Sequence, residues 1–252
     1  MKVGVSGASG RMGGLAATTI DETDDLHLIA LYDRHTAGSI AGLTISQDSS
    51  ALEGCDVVVE FSRPDAVMDH IATWRSFGAN VVVGTSGFDA ERMTELEREW
   101  GTGPANCLVV PNFSIGAVLM MKMTEMAARH MPVAEIIEMH HDSKADAPSG
   151  TAIATAQIIA GASAPHTRAV ESEELHSGAL GADVAGVRVH SVRLPGVVAH
   201  QDVIFGGEGE TLRISHDTTD RTSFMPGLLL AIRSIPSQKE SLAIGLDRLL
   251  RI

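Results

Sequence analysis

Short apolar runs alternate with longer amphipathic stretches over the first hundred residues of the chain. The apolar runs occupy residues 2–6, 26–32, 57–61, 81–83 and 108–110. Continuous runs of this length are typical of strands buried on both faces, as in a parallel sheet. The stretches between them predict helices at residues 11–23, 64–77 and 89–100. This alternation predicts an α/β fold with a Rossmann-like, doubly wound parallel sheet.

The pattern changes after about residue 111, where we place a domain boundary. A Met-rich helix is predicted at residues 115–130, a strand at 135–140 and a Gly/Ala-rich helix from Ser149. Residues 161–186 are rich in small and polar side chains, which predicts a long loop.

Three strand-like runs follow in this second region, at residues 187–194, 197–205 and 211–216. Glycine-containing turns separate them, which predicts an antiparallel meander within a domain of the α+β class. The remaining residues, 223–252, are predicted to be helical again and could belong to either domain.

A glycine-rich turn, GASGRMG at residues 7–13, joins the first predicted strand to the first predicted helix. Glycine lets the backbone approach a phosphate closely, and the helix directs unpaired N–H groups at the anion. The second predicted strand ends at Asp33, whose carboxylate is placed to bind an adenosine ribose hydroxyl. Arg34 could hold a 2′-phosphate or remain a solvated side chain. Loops at residues 84–88 and 111–114 also follow apolar strands and are expected at the nicotinamide end.

The segment EIIEMHHDSKADAPSGT, residues 135–151, concentrates two histidines, a lysine and several carboxylates. His140 and His141 are the natural proton donors near neutral pH. A metal site from these histidines and Asp142 is an alternative on ligand type. Adjacent residues of a strand point to opposite faces, however, so we predict no metal.

The end of the same segment predicts an anion site. Ser149 or Thr151 would cap the following helix, and Gly150 leaves its N–H groups open to a ligand. Lys144, one of only four lysines, supplies a cation nearby. A small anionic substrate held between the ammonium and the helix N-terminus is therefore predicted.

Composition narrows the classes of partner and compartment. The 252 residues include 32 acidic and 19 basic side chains, for a net charge of -13, which argues against binding nucleic acid or an anionic membrane. No apolar run reaches the roughly 18 residues of a membrane helix, and residues 1–10 lack a signal peptide's apolar centre. We therefore expect a cytoplasmic protein. Cys55 and Cys107 are expected to be buried thiols.

The segment EIIEMHHDSKADAPSGTA resembles the signature of the dihydrodipicolinate reductase family, whose members serve bacterial lysine and diaminopimelate synthesis. GASGRM, Asp33, GTSGF and PNFS resemble that family's cofactor segments, in the same order. The chain departs from the family at Ser86, where a second Thr is more usual, and in EFSRPD, which replaces an Asp-Phe-Thr run. The resemblance implies a homotetramer. It also implies a dinucleotide-binding domain at residues 1–111, onto which residues 222–252 fold back, and a substrate-binding and oligomerisation domain at 112–221.

The resemblance also assigns roles to residues. His140 would be the general acid or base and Lys144 a proton donor. The residues that would hold the carboxylates of a small cyclic substrate are His141, Ser149, Gly150 and Thr151. The residues that would bind NADPH or NADH are Gly7, Ala8, Ser9, Gly10, Arg11, Met12, Asp33, Arg34, Gly84, Thr85, Ser86, Val110, Pro111, Asn112 and Phe113. With Asp33 beside Arg34, we expect both cofactors to be used.

Two other functions are compatible with this domain plan. An NADP-dependent aldehyde dehydrogenase would need a nucleophilic cysteine close to a base. Cys55 and Cys107 both adjoin predicted buried strands, which argues against this function. A nucleotide sensor would bind NADPH without turnover and would leave the His/Lys segment unexplained.

Overall fold

The computed structural model describes residues 1–88, 90–131, 133–162 and 171–250. Contacts divide the chain into two compact units. Unit 1 comprises Met1–Ile115 and Phe224–Ile252, and unit 2 comprises Gly116–Ser223. The sequence-predicted boundaries lie at residues 111 and 222.

The strands of the described residues are β1 (Lys2–Ser6), β2 (His27–Tyr32), β3 (Gly38–Ile40), β4 (Leu43–Ser46), β5 (Val57–Glu60), β6 (Asn80–Val83), β7 (Cys107–Val109), β8 (Val133–His140), β9 (Ala182–Val184), β10 (Val187–Arg193), β11 (Ala199–Gly207), β12 (Glu210–Thr218) and β13 (Leu242–Ile244). The α-helices are α1 (Arg11–Asp21), α2 (Val67–Ser76), α3 (Ala90–Trp100), α4 (Ile115–Ala128), α5 (Gly150–Ala162), α6 (Met225–Ser234) and α7 (Asp247–Leu250).

Unit 1 contains one sheet, in the order β13-β7-β6-β5-β1-β2-β4-β3. Every pairing in it is parallel except that of β3 with β4. Val57, Val58 and Val59 of β5 are completely buried, as expected of a central parallel strand. The Rossmann-like α/β fold predicted from the apolar runs is therefore confirmed.

Several short elements of unit 1 were not predicted from the sequence. The strands β3 and β4 were not predicted, and residues 242–244 form a strand beside β7, although the whole of 223–252 was expected to be helical. Helix α2 begins at Val67, not at residue 64, because residues 64–66 form a turn in which the Ala66 N–H donates to the Arg63 carbonyl at 3.0 Å. Residue 89, predicted to begin the next helix, lies outside the described residues.

Unit 2 contains a mixed sheet in the order β12-β11-β8-β10-β9. The predicted meander is wrong at one pairing, because β8 lies between β10 and β11 and is parallel to β10. Helix α5 contacts both β8 and β10 and forms the crossover between them. Its apolar side chains Ala152, Ala156 and Ile159 are completely buried. The predicted α+β class of this region is confirmed.

The predicted loop at residues 161–186 is only partly a loop. Helix α5 continues to Ala162, and residues 182–184 form β9, paired antiparallel with β10. Residues 163–170 lie outside the described part of the chain. Within the described ranges, no helix is long and apolar enough to cross a membrane.

Candidate functional site

One edge of the sheet in unit 1 collects the predicted cofactor segments. Strands β1, β2, β5, β6 and β7 run parallel, so the segments that follow them meet at the same edge. The predicted segments are residues 7–13, 33–34, 84–86 and 110–113, which follow β1, β2, β6 and β7.

The glycine turn after β1 packs its backbone too closely for side chains at two positions, Gly7 and Gly13. Gly7 adopts a φ of 76°, and its N–H donates to the Tyr32 carbonyl at 2.9 Å. A Cβ on Gly13 would lie 2.1 Å from the Gly7 carbonyl oxygen, so only glycine fits there. The first turn of α1 carries no acidic residue that would compete with a bound anion. The N-terminus of α1 therefore fits a pyrophosphate group.

Asp33 is fixed at the end of β2. One of its carboxylate oxygens accepts hydrogen bonds from the Ser9 N–H and hydroxyl, and the other from the N–H groups of His35 and Thr36. Burial alone would raise the pKa of Asp33, but these hydrogen bonds outweigh it and lower the pKa. An ionised carboxylate in this place is an acceptor suited to ribose hydroxyls.

A cavity of about 280 Å³ lies beside Asp33. Of the predicted cofactor residues, it is lined by Gly7, Ser9, Gly10, Asp33 and Arg34. The other predicted cofactor residues, which do not line this cavity, are Ala8, Arg11, Met12, Gly84, Thr85, Ser86, Val110, Pro111, Asn112 and Phe113. The close-approach glycines and this cavity together fit a nicotinamide dinucleotide.

Sequence analysis missed the part of the cavity that follows β5. Ser62, Arg63 and His70 line it as well. The rule that ligands bind beyond the carboxyl ends of parallel strands would have indicated the segment after β5. The exposed guanidinium of Arg63 pairs with Asp65 at 3.1 Å, so Arg34 is not the only arginine at this cavity.

The buried carboxylate of Glu60 contacts two residues that line the cavity, Ser62 and His70. It accepts hydrogen bonds from the Ser62 N–H at 2.7 Å and from Trp74 Nε1 at 2.8 Å, and it lies 3.5 Å from His70 Nδ1. Burial alone would raise the pKa of Glu60, but its partners outweigh burial and lower it. The Thr85 hydroxyl donates to the Glu60 carbonyl at 3.2 Å, which connects the predicted 84–86 loop to Glu60.

In unit 2, His140 is the last residue of β8, and Lys144 follows in the next turn. His140 Nδ1 lies 2.5 Å from Glu138 Oε2, and Lys144 Nζ donates to Asp146 Oδ1 at 2.6 Å. This hydrogen bond from Lys144 is the main reason that the pKa of Asp146 is lowered. His141 Nδ1 lies 2.8 Å from the Ser143 hydroxyl. The predicted catalytic pair therefore lies on one strand end and its adjoining turn.

The start of α5 holds the other predicted substrate residues. The Ser149 hydroxyl accepts a hydrogen bond from the Ala152 N–H at 3.2 Å, so Ser149 is the capping residue. Thr151 is the second residue of α5. Gly150 is exposed, and a Cβ there would meet nothing within 4 Å. The helix start is thus open to an anionic group.

The side chains do not support the two alternatives from the sequence analysis, a metal site and a nucleophilic cysteine. Among the residues that the structure describes, no three His, Cys, Asp or Glu side chains are grouped to hold a metal ion. Burial raises the pKa of Cys55 to about 11 and raises that of Cys107 as well, so both thiols stay protonated near neutral pH. A thiol in that state is a poor nucleophile for an aldehyde dehydrogenase.

The parallel sheet and glycine turn of unit 1, taken together with the mixed sheet and the His/Lys cluster of unit 2, are features of a dinucleotide-dependent oxidoreductase. Residues 1–113 match the profile described as dihydrodipicolinate reductase, N-terminus, and residues 116–250 match dihydrodipicolinate reductase, C-terminus. The chain belongs to the dihydrodipicolinate reductase family.

Individual relatives agree over nearly the full length. The chain is 47% identical to 4-hydroxy-tetrahydrodipicolinate reductase of Cutibacterium acnes, covering 99% of this chain and 98% of that one. It is 46% identical to the enzyme of the same name from Thermobifida fusca, covering 99% of each. The dipicolinate-bound dihydrodipicolinate reductase from Paenisporosarcina sp. TG-14 has a similar structure, with a TM-score of 0.85, 35% identity and 98% of each chain covered.

Proposed function

We propose that this protein catalyses the NADPH- or NADH-dependent reduction of 4-hydroxy-tetrahydrodipicolinate to tetrahydrodipicolinate, in lysine and diaminopimelate synthesis. The observation that carries the proposal is the His140/Lys144 cluster beside the open start of α5, in a chain whose full-length relatives bear this enzyme's name. To bind and reduce a cyclic dicarboxylate, the site needs cations or N–H donors for the carboxylates and an acid that protonates the ring.

The residues of unit 2 would divide this work. His141, Ser149, Gly150 and Thr151 would hold the carboxylates, using the N–H groups at the start of α5. His140 and Lys144 would supply the proton to the ring, a role typically worth roughly 10²–10⁴-fold in rate. The 4-hydroxyl group of the substrate would leave as water, so that one hydride and one proton complete the conversion to tetrahydrodipicolinate. When bound, the nicotinamide supplies the hydride.

The residues of unit 1 would bind the cofactor. The turn at residues 7–13 would hold the pyrophosphate, and Asp33 would accept from the adenosine ribose. Asp33 repels a 2′-phosphate whereas Arg34 attracts it, so we expect NADH and NADPH to be used with efficiencies within about tenfold, or about 1.4 kcal/mol. The homotetramer implied by the resemblance stays a prediction, which the molar mass in solution would test.

The proposal is tested by following NADPH absorbance with the purified protein. The substrate is made in the cuvette by condensing pyruvate with aspartate semialdehyde, and the control omits the semialdehyde. We expect loss of NADPH that depends on both protein and substrate. Tight NADPH binding with no such loss would contradict the proposal and favour the nucleotide sensor.

A further inference from the structure

The side chain of Glu138 is fully buried beside the proposed catalytic groups, yet the proposed function gives it no role. It lies on β8, two residues before His140. Its Oε2 contacts His140 Nδ1 at 2.5 Å and accepts from Arg193 Nη1 at 3.1 Å. Its Oε1 accepts from Arg193 Nη2 at 2.9 Å and from the Ser149 N–H at 3.3 Å. One carboxylate thus connects the strand end, the start of α5 and a cation.

Arg193 extends these connections to the turn that carries Lys144. Strand β10 places Arg193 directly opposite His140 on β8. Besides its two-pronged contact with Glu138, Arg193 Nη2 donates to the Asp146 carbonyl at 2.7 Å. The Asp146 carboxylate in turn accepts from Lys144. Arg193 therefore touches both the partner of His140 and the backbone beside the partner of Lys144.

The protonation state of Glu138 follows from its surroundings. Burial alone would raise its pKa, but hydrogen bonds from His140 and Arg193 outweigh burial and lower the pKa to about 2. An ionised carboxylate only accepts hydrogen bonds. The contact with His140 therefore requires a proton on Nδ1, which leaves Nε2 as the ring atom that can exchange a proton with a bound molecule.

We propose that Glu138 and Arg193 form a positioning pair for the reduction: Glu138 fixes the ring orientation and the Nδ1–H form of His140, and Arg193 fixes Glu138 together with the turn of Lys144. This inference rests on the proposed function. A buried ion pair is often replaceable by apolar side chains without loss of stability. A carboxylate that orients a histidine is instead a recurring feature of proton-transfer sites.

The test compares Glu138→Gln with the matched control Glu135→Gln. Glu135 lies on the same strand and also contacts a histidine, with 2.9 Å between Glu135 Oε2 and His190 Nε2, but it is half exposed. Glutamine at position 138 offers one acceptor oxygen where the carboxylate offers two, so Arg193 and His140 compete for it. We expect kcat to fall at least about tenfold in Glu138→Gln and to stay near wild type in Glu135→Gln.

Two readouts separate positioning from a merely structural role. Cofactor dissociation constants should be unchanged in Glu138→Gln, and ¹⁵N NMR of His140 should show less of the Nδ1–H form than in the wild type. Glu138→Asp, which keeps both oxygens, should recover part of kcat, and Arg193→Lys should lower kcat less than Arg193→Met. If Glu138→Gln or Arg193→Met does not fold, Glu138→Asp and Arg193→Lys still test the proposal.

The outcomes distinguish the two proposals. A wild-type protein without substrate-dependent NADPH oxidation would contradict the proposed function, whereas the His140 NMR comparison would still report on Glu138. An active wild type with unchanged kcat and an unchanged His140 spectrum in folded Glu138→Gln would overturn the positioning pair.

Discussion

At the scale of single residues, the polar groups with proposed roles fall into two sets, one for cofactor binding and one for the chemistry on the substrate. Asp33 and Arg34 border the cavity of unit 1, where they would select the cofactor. His140 and Lys144 stand at the end of β8 in unit 2, where each already has a carboxylate partner, Glu138 or Asp146. Changes in one set should therefore leave the other set's function intact.

His140→Ala and Lys144→Ala should each lower kcat and kcat/KM together by about 100-fold or more, because each removes a proton donor used in the transition state. Cofactor affinity, measured by fluorescence titration of NADPH, should stay within about twofold of wild type. A variant that kept kcat within about threefold of wild type would remove that residue from the catalytic pair.

Arg34→Ala should lower kcat/KM for NADPH more than for NADH, because only NADPH offers a 2′-phosphate to the guanidinium. The matched control is Arg98→Ala, an exposed arginine of α3 that pairs with Glu99 and does not line the cavity. Steady-state kinetics with both cofactors at one ionic strength gives the ratio. An unchanged ratio would show that Arg34 does not read the phosphate and would direct attention to Arg63.

At the scale of elements, the proposed function assigns cofactor binding to the turn from β1 into α1. Gly13→Ala should weaken binding of both cofactors and lower the melting temperature, since its Cβ would lie 2.1 Å from the backbone oxygen of Gly7. Gly14→Ala is the control, because its nearest contact would be an ordinary 3.5 Å, and alanine favours a helix by about 1 kcal/mol over glycine. Equal behaviour of the two variants would contradict the close approach.

Elements with a continuous apolar run or a helical period could be predicted from the sequence, whereas pairings between distant segments could not. The central strands β1, β5 and β6 and the helices α1, α4 and α5 match their apolar patterns. The pairing of β8 with β10 depends on a crossover helix between distant segments, which no local pattern encodes. Strand β13 lies inside a stretch predicted to be helical, and β9 lies inside one predicted to be a loop, so neither was recognised as a strand.

The residues of the candidate site could likewise be predicted only where they are close together in the sequence. His140, Lys144 and the start of α5 are contiguous in sequence, so their composition alone indicated a site. Arg193 comes from a separate strand, and its contact with Glu138 exists only once β8 and β10 pair. Ser62 and His70 reach the cavity only through the order of strands in the sheet.

At the scale of the whole molecule, the described residues of each unit include a buried carboxylate whose pKa is lowered, Glu60 in unit 1 and Glu138 in unit 2. A folded-state pKa below the ordinary 4.5 stabilises the fold above that pH, and this stability is lost as the pH falls toward the folded-state value. We expect the free energy of unfolding in urea to decrease between about pH 5 and pH 3.

Glu138→Gln should flatten this pH dependence, while Glu135→Gln, at a half-exposed position, should leave its slope unchanged. The measurement is a series of urea titrations of wild type and both variants across that pH range. An unfolding free energy that did not change on acidification would contradict the assignment of buried, ionised carboxylates.

The most direct test of the whole account follows the transferred hydrogen. The protein is supplied with NADPH deuterated on the transferring face of the nicotinamide, together with substrate formed from pyruvate and aspartate semialdehyde, and the product is analysed by mass spectrometry. The account predicts tetrahydrodipicolinate that carries one deuterium and forms in step with NADPH loss. A product without deuterium, or no reduced product from the folded, cofactor-binding protein, would contradict it.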